Sequence, residues 1–304
     1  MTVPNGYNTI PHFQYFEDIA GGLGSIGDVY YVDVNAGVDT NDGKSWQYAF
    51  KTLAAAIVAS NASIAAGAAG WANRNRIFFK GDNDEAHKET LITLANKCDI
   101  IGVGSYDAKP YPVMIGNHVI GAGAYMGCRF INMGFKSLAA GGDIFTVPAT
   151  TSGLAFIGCH FDGATAVPAT GAIVATTIER LSIIGCDFVG AFSDAVIELA
   201  GTEFNSLMIA DNIIQGGQQG IDVKATVTTS IRSGYILRNY INCVTEGINE
   251  ASGKLYVHDN RVVTAAAKGV AGAGAIVAGA KMMLNNYISC SDVANAIVPA
   301  NGSL

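Results

Sequence analysis

What this sequence lacks narrows its function before any motif is read. Only 14% of its 304 residues are charged, 18 Lys and Arg against 25 Asp and Glu, for a formal balance of −7. A soluble monomer carries charge on about a quarter of its residues, so this scarcity predicts apolar outer surface covered by subunit contacts. No basic cluster occurs, so the counterion release that drives nucleic-acid binding has no source, and DNA and RNA are not expected partners. Long apolar runs are missing too. The chain is 50% hydrophobic and its mean hydropathy is +0.30, yet no stretch approaches the ~18 uninterrupted apolar residues that span a bilayer. The opening Met1-Thr2-Val3-Pro4-Asn5 has neither the basic nor the apolar region of a signal peptide, so synthesis in a reducing cytoplasm is expected.

The motifs of common chemistries are also absent. None of the six cysteines forms a CxxC pair, which argues against zinc, and their placement within a repeat reads as buried thiols. Ile100-Ile101-Gly102-Val103-Gly104 stops short of a phosphate-binding glycine loop, and no Walker lysine follows; these glycines are corners. Asp39-Thr40-Asn41-Asp42-Gly43 begins like a calcium loop, but Gly43 stands where a ligand is needed and Lys44 where glycine is needed, so it reads as a turn. No regular Thr-x-Thr face recurs, which disfavours ice binding. No cofactor and no metal are expected.

What is present is a ladder. Lys97-Cys98-Asp99-Ile100 is echoed by Gly127-Cys128-Arg129-Phe130, Gly158-Cys159-His160-Phe161 and Gly185-Cys186-Asp187-Phe188, and then with Asn in place of Cys at Asn212, Asn239, Asn260 and Asn286. Successive marks (98, 128, 159, 186, 212, 239, 260, 286) are 30, 31, 27, 26, 27, 21 and 26 residues apart, a solenoid period. Apolar alternations such as Leu154-Ala155-Phe156-Ile157 precede the marks, and second short strands such as Ala195–Leu199 and Gly220–Val223 follow about ten residues later. A repeat this short cannot hold a βαβ crossover. The fold class expected is therefore all-β, a right-handed single-stranded parallel β-helix of about eight to nine turns, with the marks forming one internal column of stacked Cys and Asn.

Ahead of the ladder, Asp28–Asn35 reads as a strand and Ala49-Phe50-Lys51-Thr52-Leu53-Ala54-Ala55-Ala56-Ile57 as a helix starting near Lys51 or Thr52. This series, with Asp42-Gly43-Lys44-Ser45-Trp46 between, resembles the opening of pectate-lyase-like β-helix proteins, and in particular that of phage-encoded structural members. Glu89-Thr90-Leu91-Ile92-Thr93-Leu94 and Lys109-Pro110-Tyr111-Pro112 are similar to their first coils. The resemblance implies that the helix caps the open end of the solenoid, and it divides the chain into an N-terminal arm (1–27), a cap with first coils (28–97) and the rungs (98–304).

Such folds host lyases and glycosidases as well as inert rods. The best acid pair is Glu198 and Asp222, aligned on neighbouring turns at a spacing that suits a retaining glycosidase, with Asn249 and Ala271 next in the row; the alternative reading is a hydrated outer polar row. A second row, Arg129, His160, Asp187, Ile213, Tyr240, Arg261 and Tyr287, offers an acid–base trio or merely alternating charge. Tyr240 and Tyr287 offer a platform for a carbohydrate-binding adhesin. No calcium-binding acidic cluster of the lyase type can be assembled, and no extra domain follows the last mark. The expectation is a non-enzymatic phage virion protein, a capsid decoration or fibre-like homotrimer. It would join other virion proteins through its arm and contact host surface polysaccharide. The alternative is a tail-spike depolymerase acting through Glu198 and Asp222.

Overall fold

The computed structural model describes residues 26–65, 73–81, 87–104, 111–138, 141–163, 169–201, 204–224, 233–250, 255–264, 268–271, 282–284 and 286–289. Most of the expected arm, Cys290 and the strand expected at 296–298 lie outside these residues. The chain winds into a parallel β-solenoid of three sheets. The first sheet has 12 strands, entered at Ile26–Asp33 and left at Met282–Leu284; the second has eight and the third seven. From the first to the last strand of the third sheet the chain completes about six turns, fewer than the eight to nine expected. The first two strands, Ile26–Asp33 and Arg74–Lys80, have no counterparts in the other two sheets.

Helix α1, Leu53–Ala65, buries Leu53, Ala56, Ile57, Ser60 and Ile64, one stripe at helical spacing, against the first two strands. Its start is held by anions and a hydroxyl. Thr52 Oγ1 accepts from the Ala55 N–H (3.2 Å), and the Glu89 carboxylate, from a distant loop, accepts from Leu53 (3.0 Å) and Ala54 (2.6 Å). Asp39, in the loop with a calcium-like beginning, accepts from the Lys51 and Thr52 N–H groups at 2.8 Å each. That loop works as a turn that sets the helix entry. Among the described residues no helix is long and apolar enough to cross a membrane.

The corners correct the ladder. Cys98 is the strand partner of Cys128, but Arg129 pairs with Ala155 and Phe130 with Phe156, so Leu154 and not Cys159 follows Cys128 in the stack. Cys159 instead occupies the corner between the first and second sheets. The backbone bonds that cross this corner are equivalent from coil to coil: Gly134 N to Pro112 O, His160 N to Met133 O, Asp187 N to Cys159 O and Tyr240 N to Asn212 O. The corner column is thus Pro112, Met133, Cys159, Cys186, Asn212, Asn239, Asn260 and Asn286, and Cys98 and Cys128 stand in another. Gly-Cys misled because it marks the same local device at two different corners: a left-handed residue (Gly127 φ 71°, Gly158 φ 57°, Gly185 φ 62°) followed by a small buried one. Later coils use Asp211, Arg238 and Asp259 in the left-handed position instead.

Within the corner column the chemistry is continuous. Asn212, Asn239, Asn260 and Asn286 donate from Nδ2 to the carbonyls of Ile183, Ile209, Ile236 and Val257, one coil back. Cys186 and Cys159 Sγ point at the corresponding carbonyls of Phe156 and Phe130, both at 3.4 Å. Cysteine here is a weak-donor stand-in for asparagine. Cys98, Cys128, Cys159, Cys186 and Cys243 are buried free thiols, as expected. Burial pushes Cys128 and Cys243 up to about 12, so both stay protonated at neutral pH.

The interior of the earlier coils is aromatic. Phe130 stacks on Phe156 (5.4 Å between centroids), Phe135 on Phe161 (5.3 Å) and Phe161 on Phe188 (4.7 Å), while Phe145 meets Phe135 edge-on. Like residues stack because each coil lies one strand spacing above the last.

Candidate functional site

The row carrying the predicted acids forms as the alternation required. Glu198 pairs with Asp222 and Asp222 with Asn249, on the outward side of the third sheet, and Ala271 is the strand partner of Asn249. Within the row Asp222 is only 1% exposed, while Glu198 and Asn249 are half-buried. It is not an open acid pair. Lys224 Nζ sits on both carboxylates, closely on Asp222 Oδ2 and at 3.5 Å from Glu198 Oε2, and Asn249 Nδ2 donates to Asp222 Oδ1 at 2.8 Å.

Burial raises the Glu198 pKa, and the nearby Lys224 only partly offsets this. At Lys224 burial works to lower the pKa but is outweighed by the bond to Asp222 and the two carboxylate charges, leaving it raised. The cluster is a three-centre unit in which one cation is shared between two carboxylates. Lys224 was missed in the sequence, where only acids were sought. Its signal was the period-2 spacing Asp222-x-Lys224, which sends both side chains to one face.

Lys224→Met leaves two carboxylates on adjacent rungs without their cation. With Lys224 itself partly exposed, the expected cost is about 1–2 kcal/mol at pH 8. Protonation of Glu198, whose pKa is already raised, relieves the repulsion, so the melting-temperature loss should shrink at pH 4. A loss equal at both pH values would show that the charges do not interact.

The second row is rearranged by the corner correction. Gly134, not Arg129, precedes His160 in the second sheet. Arg129 lies in the first sheet, where its guanidinium grips Asp99 at 2.6 and 2.8 Å with Arg74 on the same carboxylate at 2.7 Å. His160 Nδ1 does meet Asp187 Oδ2 at 3.0 Å, but no Arg129 completes a trio. Tyr111 lies over the His160 ring at 4.9 Å, an approach that the missing Cβ of Gly134 allows: a Cβ there would stand 2.8 Å from the Tyr111 ring.

Farther along, Tyr240 and Tyr287 do share a column, with Arg261 between them. The guanidinium carbon stands 5.4 Å from one ring centroid and 5.8 Å from the other. Each ring thus has one face turned to a cation–π contact, while Tyr287 remains 63% exposed. At the left-handed corner positions, Arg238 holds Asp211 through two bonds of 2.7 Å. No family model, curated protein or solved structure matches this chain.

Chemistry must therefore be argued from the side chains alone. Among the described residues no three His, Cys, Asp or Glu side chains converge as a metal centre. The acid pair has its cation already in place. A general acid needs a proton and a nucleophile needs a lone pair facing substrate, and Asp222 is buried between Lys224 and Asn249, where it faces no substrate.

Proposed function

We propose that the protein is a non-enzymatic structural component of a phage particle, a β-helical decoration or fibre-like protein that assembles as a homotrimer and meets other virion proteins through its N-terminal arm. The observation that carries the non-enzymatic part is the burial of Asp222 between Lys224 and Asn249. The phage assignment is supported by the resemblance of the opening residues, Asp28 to Ile57, to pectate-lyase-like β-helix proteins of phages. The trimeric state is supported by the scarcity of charge, 14% of residues, and by exposed apolar side chains such as Val58, Ile92 and Val119.

Two measurements test the reading. Incubation with a panel of bacterial polysaccharides should release neither reducing sugar nor unsaturated product, and light scattering should give three times the chain mass. Product release that is lost in both Glu198→Gln and Asp222→Asn would establish the depolymerase alternative instead. A stable monomer without affinity for phage particles would remove the structural role.

A further inference from the structure

The outer face of the first sheet holds a depression of about 460 Å³ that lies away from the acid row, within the size range of small-molecule sites. Its origin lies in the outward column that reads, rung by rung, Arg129, Ala155, Ser182, Met208, Tyr235 and Tyr256. Short side chains at Ala155 and Ser182 are followed by tall ones at Tyr235 and Tyr256, and the step between them is the hollow. Tyr235 is braced from behind, its ring stacked on Tyr256 at 5.3 Å and 20°. Its other face therefore turns back over Met208 and into the hollow.

The remaining lining comprises an apolar floor, a charged edge and two further polar side chains, Ser206 and His258, the His258 Nδ1 lying 2.8 Å from Asp259 Oδ2. Ile184, Ala210 and Leu237, from the neighbouring outward column, make an apolar floor. At the corner edge the floor ends on Asp211 and Arg238, tied by two bonds of 2.7 Å. A guanidinium has five N–H donors and a carboxylate about four acceptor positions, so the tied pair still offers donors and acceptors side by side while carrying no net charge.

We propose that this depression binds a neutral saccharide, a pyranose ring laid against Tyr235 and Met208 with its hydroxyls on Arg238 and Asp211. A sugar ring is apolar on its C–H face and rimmed by groups that both donate and accept, which is the division the hollow displays. Arg238 is bonded to Asp211 and the His258 ring to Asp259, so neither a polyanion nor a cationic ligand meets a charged group without a partner here. A wholly apolar ligand would cover the ion pair without bonding to it, at a desolvation cost.

The inference extends the non-catalytic reading above by giving the rod a specific contact, and the two fail separately. Hexasaccharides of neutral glucan, mannan and galactan, and of anionic polygalacturonate, are offered to the full chain. Saturation-transfer NMR and calorimetry report binding, with sugar release assayed in the same tubes. The expected result is millimolar or tighter binding of at least one neutral hexasaccharide and none of the anionic one. Tyr235→Ala should weaken that binding about tenfold or more. Ser182→Trp, which fills the hollow from an outward position and leaves Tyr235 in place, should abolish it with an unchanged circular dichroism spectrum. The site is overturned if no neutral hexasaccharide binds, if the anionic one binds equally, or if binding survives Ser182→Trp. It is also overturned if Tyr240→Ala or Tyr287→Ala removes binding while Tyr235→Ala does not. Binding accompanied by product release would sink the non-enzymatic reading and leave the site standing.

Discussion

Replacing Asn239 by leucine is expected to destabilise the solenoid by at least about 4 kcal/mol, although leucine is apolar, similar in volume and placed in an apolar interior. The Asn239 amide takes part in four buried hydrogen bonds. Its Oδ1 accepts from the Asn212 N–H (3.0 Å) and Nδ2 (2.9 Å), and its Nδ2 donates to the Ile209 carbonyl (3.0 Å) and to Asn260 Oδ1 (2.9 Å). Leucine removes all four and leaves partners on two neighbouring coils in a place water does not reach, each at a cost of about 1–3 kcal/mol.

Two further variants isolate the cause. Cys186→Ala deletes only a weak thiol contact to Phe156 O and a small side chain, so its cost should stay near 1–2 kcal/mol. Asn239→Asp keeps the shape but turns a donor into an acceptor facing Asn260 Oδ1, so its stability should recover partly as the pH falls and the carboxyl regains a proton. Urea unfolding and amide exchange at Asn212 would measure each. A leucine variant as stable as the parent would mean that packing, not the amide ladder, holds this corner.

The second large effect is a pH dependence set by His118. This ring is 0% exposed, wedged between Phe145 (4.5 Å between centroids) and Phe135 (5.7 Å). Its Nδ1 accepts from the Leu91 N–H at 3.1 Å, which places the ring proton on Nε2, and Nε2 has no partner. Burial pushes the pKa down from 6.5 to about 3. The unfolded chain therefore takes up a proton near pH 6.5 that the folded chain refuses until about pH 3. Stability is complete above pH 6.5 and falls as the pH drops through that window, by about 1.4 kcal/mol per pH unit at most.

Between pH 6.5 and pH 4 the loss from this one ring is roughly 3 kcal/mol. Asp143 and Glu198, both raised by burial, act in the opposite sense. Asp28, whose carboxyl is lowered chiefly by its bond to Lys44, adds its loss only in stronger acid, around and below its ordinary value of 3.8. His118→Asn keeps an acceptor for Leu91 and cannot titrate. Its stability at pH 7 should be lower, through the smaller side chain, but nearly level from pH 7 to pH 4. Parallel curves for the two proteins would assign the acid sensitivity to other groups.

The solenoid and the Glu198–Asp222–Asn249 alignment were legible because a stacked repeat writes its geometry into period and alternation. Which corner a mark occupies was not legible. A left-handed glycine followed by a small buried residue solves the same backbone problem at either corner, and only strand register distinguishes Cys128 from Cys159. Of the candidate site, the acids were visible and their shared cation was not, because Lys224 enters through a face relation rather than a motif. Tyr235 escaped notice for a related reason. It opens no pattern of its own and acquires meaning only through the small residues two rungs earlier, at Ser182.

The amide ladder has a direction. The corner N–H of Cys186 is capped by Asn212, that of Asn212 by Asn239, that of Asn239 by Asn260 and that of Asn260 by Asn286, so in every case the acceptor comes from the coil that follows. A chain emerging from the ribosome in sequence order thus leaves each newly closed corner with one unsatisfied donor until a further 21 to 27 residues have appeared. Each coil is completed by its successor, and over this stretch the order of synthesis is also the order in which the rod locks.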